Sequence, residues 1–242
     1  MTALFDTVIR GGRVMDPETG FDMVCDVAIK EGTIARIGPV AESGRTEIDA
    51  AGLIVAPGFL DLHAHGQSVA ADRMQAFDGV TTTLELEVGA LPVDGWYQRQ
   101  ADIPRVLHYG TAAAWIFARK AVMGDITLDP QVHPIDQMGA GADDMRWSTE
   151  AATPDQAAQI VKLVRQGLED GAIGIGLPNG YAPGAGVKEM ADICDLGSIP
   201  GLRVPLSTLR PRPYGRTRMT RGRRSWLSLQ RMTLSFTTLR RF

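Results

Sequence analysis

The sequence predicts an α/β protein in which a β-rich N-terminal segment precedes strands that alternate with helices. Three observations carry this reading. The first 56 residues form short strand-like runs separated by turn residues. From Gly58 onward, runs of strand length alternate with helical periodicity, the pattern of a parallel sheet with crossover helices. An apolar run at residues 59–62 leads into His63-Ala64-His65, and the C-terminal ends of strands are where parallel α/β folds place their sites.

Taken in order, residues 7–10 read as a strand followed by Gly11-Gly12, and Asp16-Pro17-Glu18-Thr19-Gly20 is a turn signal. Residues 24–29 are strand-like, Glu31-Gly32 turns, residues 33–37 return, and residues 53–55 form a further short strand. This predicts a small β-sandwich or β-ribbon over residues 1–56. In the main body, residues 59–62, 81–88 and 105–109 are candidate strands one to three. The best-marked helix runs over about residues 154–170: Thr153 caps it, Pro154 sits at its first position, and Gln156 completes a capping box. Ala157, Ile160, Val161, Val164 and Leu168 share one face, and Gly171 suits the C-terminal cap. Residues 172–177 read as strand four, 187–196 as helix, and 204–208 as the opening of a fifth strand.

Composition narrows the class. Apolar residues make up 44% and charged residues 22% of 242, ordinary for a globular protein. No apolar run approaches membrane-spanning length. The first residues lack the basic and apolar segments of a signal peptide. Cys25 and Cys194 form no CxxC pair, which favours a reducing, cytoplasmic setting. The net charge of -3 conceals a split: residues 1–208 hold all 28 acidic residues, whereas residues 209–242 hold 10 arginines and no acid. That basic tail shows neither strand nor helix period and reads as disordered or as the product of a shifted reading frame.

The sharpest chemical signal is Pro57-Gly58-Phe59-Leu60-Asp61-Leu62-His63-Ala64-His65-Gly66. Side chains two apart on a strand point the same way, so both imidazoles can project from one strand end toward a divalent metal. With the β-rich start, this run resembles the metal-dependent amidohydrolase superfamily. Gly79-Val80-Thr81-Thr82-Thr83, Gly171-Ala172-Ile173-Gly174-Ile175 and Gly180-Tyr181-Ala182-Pro183-Gly184 are similar to its N-acyl-D-amino-acid deacylase branch, which includes the D-glutamate deacylases. The resemblance implies a (β/α)8 TIM-like barrel beside a small β-sandwich, one or two divalent ions, usually zinc, and amide hydrolysis by a metal-activated water. It also implies that His63 and His65 are metal ligands.

Many deacylases carry a cysteine just past strand two; here that stretch reads Glu85-Leu86-Glu87-Val88-Gly89, and Glu87 is the nearest candidate for the metal ligand. Alternation puts Glu85 on the same face, so it stays open as well. Tyr181 matches the tyrosine of the family's Tyr-x-Pro-Gly loop, where a phenol could bind a substrate carboxylate. Cyclic-amide relatives carry a carboxylated lysine on strand four, and residues 172–177 contain no lysine. His108 and His133 read as structural or surface histidines, and Trp115, Trp147 and Phe117 as packing.

About 30 residues per βα unit means that residues 57–208 hold four units and one extra strand, whereas eight units need roughly 250 residues. The resemblance calls for histidines on strands five and six and an aspartate on strand eight. Leu209 stands where the first of these is expected, and no histidine or acid follows it. The expectation is therefore a partial barrel, truncated within the fold, of deacylase lineage and with little or no turnover. Its substrate would be a small N-acyl amino acid, with no membrane partner and with self-association through the open sheet. The competing reading is a non-catalytic remnant that keeps metal affinity, its arginine-rich tail contacting nucleic acid through phosphate charge.

Overall fold

The computed structural model describes residues 4–141, 143–198 and 206–209. Most of the basic tail, residues 210–242, and residues 204–205 of the expected fifth strand lie outside the described residues. The chain divides into two compact units, Met1–Phe59 and Leu60–Phe242.

The first unit is built on β1 (Phe5–Asp16), β2 (Phe21–Lys30), β3 (Thr33–Gly38), β4 (Gly44–Asp49) and β5 (Ile54–Val55). These make one five-stranded sheet in the order β3-β2-β1-β4, with β5 paired to the later part of β1. Gly11-Gly12 does not end the first strand. It forms a bulge inside β1, where Gly11 takes φ 66° and the register against β2 shifts between Ile9 and Gly12. Asp26 secures the bulge by accepting from the Gly11 amide at 2.9 Å and pairing with Arg10 at 3.2 Å. A small core of Phe5, Val8, Ala28 and Val40 lies within this unit.

The second unit begins within β6 (Phe59–Asp61) and continues with α1 (Val69–Phe77), β7 (Val80–Ala90), α2 (Val93–Ala101), β8 (His108–Ala114) and α3 (Trp115–Met123). Two short helices, α4 (Pro134–Gly139) and α5 (Arg146–Thr149), precede α6 (Pro154–Glu169), β9 (Gly174–Leu177), α7 (Val187–Asp195) and β10 (Leu206–Leu209). The strands lie in the order β10-β9-β8-β7-β6, a curled parallel half-barrel sheet with crossover helices. Among the described residues no helix is long and apolar enough to cross a membrane.

The capping box at Thr153 and Gln156 forms as the sequence predicts, with Thr153 Oγ1 accepting from the Gln156 amide and Gln156 Oε1 from the Thr153 amide. Helix α6 buries Ile160, Val164 and Leu168 in a core shared with β8, β9 and α3. Each such side chain contributes about 1.5–3 kcal/mol relative to exposure. Strand three begins at His108, three residues later than expected. Arg105 is instead drawn into a bidentate pair with buried Asp72, at 2.5 and 2.7 Å, and its guanidinium lies over the Tyr109 ring.

Strand β7 carries a second irregularity. Its pairing with β8 shifts between Glu85 and Ala90, and Gly89 there takes φ 78°. A Cβ at Gly89 would meet the Ala112 carbonyl oxygen at 2.4 Å, so this position requires glycine on both counts. Gly89→Ala is expected to destabilise the fold by at least about 1–3 kcal/mol, the strain of a left-handed non-glycine residue alone. Urea denaturation followed by circular dichroism measures it, and an unchanged midpoint would show that the bulge relaxes freely.

Candidate metal centre

The candidate site forms where β6 ends and β7 passes beside it. Beyond Asp61 the chain turns: Asp61 Oδ1 accepts from the His63 amide at 3.1 Å, and the Ala64 amide donates to the Leu84 carbonyl at 3.0 Å. His63 forms an isolated bridge to Glu85, which holds the His-x-His segment against β7. Gln75 from α1 donates to the other Asp61 oxygen at 2.8 Å, so the turn is braced from the helix side too.

The side chains converge. His63 Nε2 lies 3.1 Å from His65 Nε2 and 2.7 Å from Glu87 Oε2, and His65 Nε2 lies 3.3 Å from that same oxygen. One donor atom from each residue falls within 4.8 Å of the others, an arrangement that could hold a metal ion. Glu87 is buried with a 5% exposed side chain, whereas His63 is 50% exposed, so the cluster is anchored in the sheet and open toward solvent.

Glu85 sits differently from Glu87. Its Oε2 lies 2.8 Å from His65 Nδ1, on the side of the ring away from the cluster. Oε1 accepts from the Val88 amide at 3.3 Å. Gln67 Nε2 reaches Oε2 at 3.4 Å, and the Trp96 indole N–H donates to Gln67 Oε1 at 2.9 Å. Burial pushes the Glu85 carboxyl above the usual carboxylate value, and the hydrogen bond with His65 opposes that rise.

The other expected positions fall as follows. Tyr181 ends a single 3-10 turn after β9; it is 45% exposed, and its carbonyl accepts from Ser148 Oγ at 2.7 Å. His108 is the exposed first residue of β8. His133 is half-buried rather than a surface residue: Nδ1 accepts from the Ile135 amide at 3.2 Å, and the ring lies against the backbone of His65. Desolvation pushes its imidazole below the ordinary histidine value. Nothing in the amino-acid order singles out Gln67 and Trp96 beyond the position of Gln67 two residues after His65. Leu209 is the last residue of β10, paired in register with Leu177.

Comparison with known proteins places the chain among relatives of one kind. A model described as the amidohydrolase family matches residues 46–187. The N-acyl-D-glutamate deacylase of Alcaligenes xylosoxydans xylosoxydans is 30% identical over 240 aligned positions, covering 89% of this chain and 45% of that protein. A dihydroorotase of Streptococcus pneumoniae is 51% identical over 59 residues, which cover 24% of this chain and 14% of that protein. The crystal structure of a D-aminoacylase superposes with a TM-score of 0.60 at 25% identity, over 79% of this chain and 43% of that one. The N-acyl-D-glutamate deacylase from Bordetella bronchiseptica, solved with zinc and a phosphonate inhibitor, shares the fold with a TM-score of 0.55 at 23% identity, over 80% of this chain and 43% of that one. The chain spans less than half the length of each of these proteins.

Proposed function

The chain belongs to the amidohydrolase family, and from that membership we propose that it is of the N-acyl-D-amino-acid deacylase type. Its reaction would be metal-dependent hydrolysis of a linear amide bond, with N-acyl-D-glutamate within its substrate class. The observation that carries the reading is the convergence of His63, His65 and Glu87. Two imidazole nitrogens and one carboxylate oxygen are a donor set that zinc accepts, so these residues fit one divalent ion, with room in the family for a second. When bound, such an ion lowers the pKa of a water and polarises a carbonyl oxygen.

The chain's own residues supply the rest. Glu87 fixes one ligand on the sheet, while the exposed side of His63 leaves the centre open to a small substrate. Tyr181, on the loop after β9, would donate its phenol to the carboxylate of an N-acyl amino acid. The linear amide is favoured over a cyclic one on two grounds. Strand β9 reads GIGL and holds no lysine, and the alignment with the deacylase covers 89% of the chain, against 24% for the dihydroorotase. Both cysteines are free thiols, in keeping with a cytoplasmic setting.

Hydrolysis also needs a base that accepts a proton and returns it to the leaving amine. No histidine or acid occurs in residues 210–242. For the 242-residue polypeptide we therefore expect uptake of zinc with little or no turnover. The test is zinc content after dialysis, together with amine release from N-acetyl-D-glutamate, dihydroorotate and allantoin. Whatever hydrolysis is detected is expected on N-acetyl-D-glutamate. A preference for either cyclic amide would overturn the linear-amide reading, rapid turnover would overturn the expectation of low activity, and absence of zinc would remove the metal centre.

A further inference from the structure

We infer that Glu85 is the positioning carboxylate of this centre: it fixes the tautomer and orientation of His65 and is not itself a metal ligand. The inference rests on the proposed reading of the cluster and deepens it, because strand alternation alone leaves Glu85 and Glu87 equivalent.

The two nitrogens of an imidazole lie on opposite sides of the ring. In His65, Nε2 faces His63 and Glu87, while Nδ1 faces Glu85 at 2.8 Å. Both ring nitrogens face carboxylate oxygens, and Glu85 is the closer acceptor, at 2.8 Å from Nδ1 against 3.3 Å from Nε2 to Glu87, so the proton on His65 belongs on Nδ1. Nε2 is then left with its lone pair directed at the place where a cation would sit. A neutral imidazole that is free to choose prefers the opposite tautomer, so Glu85 selects the ligating form before any ion arrives. Metal-bound histidines are commonly held in this way by a carboxylate on the far nitrogen.

Glu85 is also held in place itself. Its side chain is 1% exposed. The Val88 amide donates to Oε1 at 3.3 Å, and Gln67, which receives the Trp96 indole hydrogen bond, reaches Oε2 at 3.4 Å. Donors from β7, from the turn after β6 and, through Gln67, from α2 thus brace one carboxylate. To reach the cation, Glu85 would have to give up its bond to His65 and the braces with it. Glu87 needs no such movement, since its Oε2 already lies within 3.3 Å of both Nε2 atoms.

The test uses the full chain labelled with nitrogen-15 at histidine. Long-range proton–nitrogen correlation of the metal-free protein is expected to show His65 protonated at Nδ1. Zinc affinity is measured by competition with a chromophoric chelator. Glu85→Leu is expected to shift His65 toward the Nε2-protonated form and to weaken zinc binding by about tenfold to a hundredfold, while binding remains measurable. Glu85→Gln keeps an acceptor of the same shape, so it should retain the tautomer while loosening zinc by a smaller factor. It also carries the test if Glu85→Leu fails to fold. Zinc affinity within twofold of the parent in folded Glu85→Gln, or an unmoved tautomer in folded Glu85→Leu, would overturn the inference. Complete loss of zinc in both variants would also overturn it, since it would make Glu85 a ligand. If the parent chain itself takes up no zinc, the metal reading fails, and the tautomer measurement still decides what Glu85 does to His65.

Discussion

Replacing Arg119 by methionine is expected to destabilise the protein by about 3–5 kcal/mol, the usual cost of stripping one partner from a buried ion pair. Arg119 is wholly buried on α3, where three of its nitrogens are engaged. Nη1 pairs with Glu189 of α7, Nε donates to the Trp147 carbonyl at 2.7 Å, and Nη2 donates to the Glu150 carbonyl at 2.7 Å. The second oxygen of Glu189 accepts from the Trp115 indole at 2.8 Å. One guanidinium therefore ties α3 to α7 and to the segment around α5. Methionine would fill much of the volume but leave a buried carboxylate without its countercharge and two carbonyls short of a donor. The double variant Arg119→Met, Glu189→Leu removes the stranded charge and should recover part of the loss. Urea denaturation of the three variants measures both effects. A single-variant loss below about 1 kcal/mol, or a double variant no more stable than Arg119→Met, would show that the pair carries no such weight.

That network was invisible in the sequence, and the reason is physical. Arg119 and Glu189 lie 70 positions apart, each on a helix where a charged residue ordinarily faces solvent. Neighbouring Lys120 is equally hidden: it is buried, donates to the carbonyls of Gln137, Met138 and Ala140 at 2.6–3.0 Å, and lies over the Trp147 ring. Nothing local marks such partners, because tertiary packing creates them. Helix α6 was legible for the opposite reason, since its capping box, its proline and its apolar stripe are all written within sixteen residues.

Strands fared between these extremes. Strand β8 reads HYGTAAA, whose small residues have little strand propensity, and it forms because the core buries Ala112, Ala113 and Ala114. Strand β4, a mostly exposed polar run over Gly44–Asp49, pairs in parallel with β1 and has no apolar alternation to announce it. The Gly11-Gly12 pair reads as a turn in one dimension and proves to be a bulge, because only the partner strand and Asp26 distinguish the two. At the candidate site, the His-x-His spacing marked His63 and His65 as a pair, although both lie in the turn beyond β6 and not on the strand itself. Spacing could not mark the difference between Glu85 and Glu87, since it depends on which nitrogen of one ring each carboxylate meets.

That asymmetry gives the two histidines different expected phenotypes. His65→Ala and His63→Ala should each weaken zinc binding by more than about a hundredfold, beyond the usual cost of losing an outer partner. Their effects on the metal-free protein should diverge. His65 is the partner of a buried carboxylate, so its removal strands Glu85 and should cost about 1–3 kcal/mol of stability. His63 is half exposed, and although it is the 2.7 Å partner of buried Glu87, that carboxylate keeps His65 Nε2 at 3.3 Å when His63 is removed, so losing His63 should cost the metal-free protein less than losing His65. His108, at the exposed start of β8, is the control: His108→Ala should leave zinc affinity within about twofold, well inside the factor that marks an outer metal partner. Chelator competition and urea denaturation on the same preparations separate the cases. If His63→Ala and His65→Ala both retain parental zinc affinity, the ion is held elsewhere. If zinc is lost but the two variants are equally stable without metal, the buried partnership of Glu85 with His65 contributes nothing to the fold. The two rings would then differ only in exposure, and the division of labour between the carboxylates of β7 would have to be sought in the metal-bound protein alone.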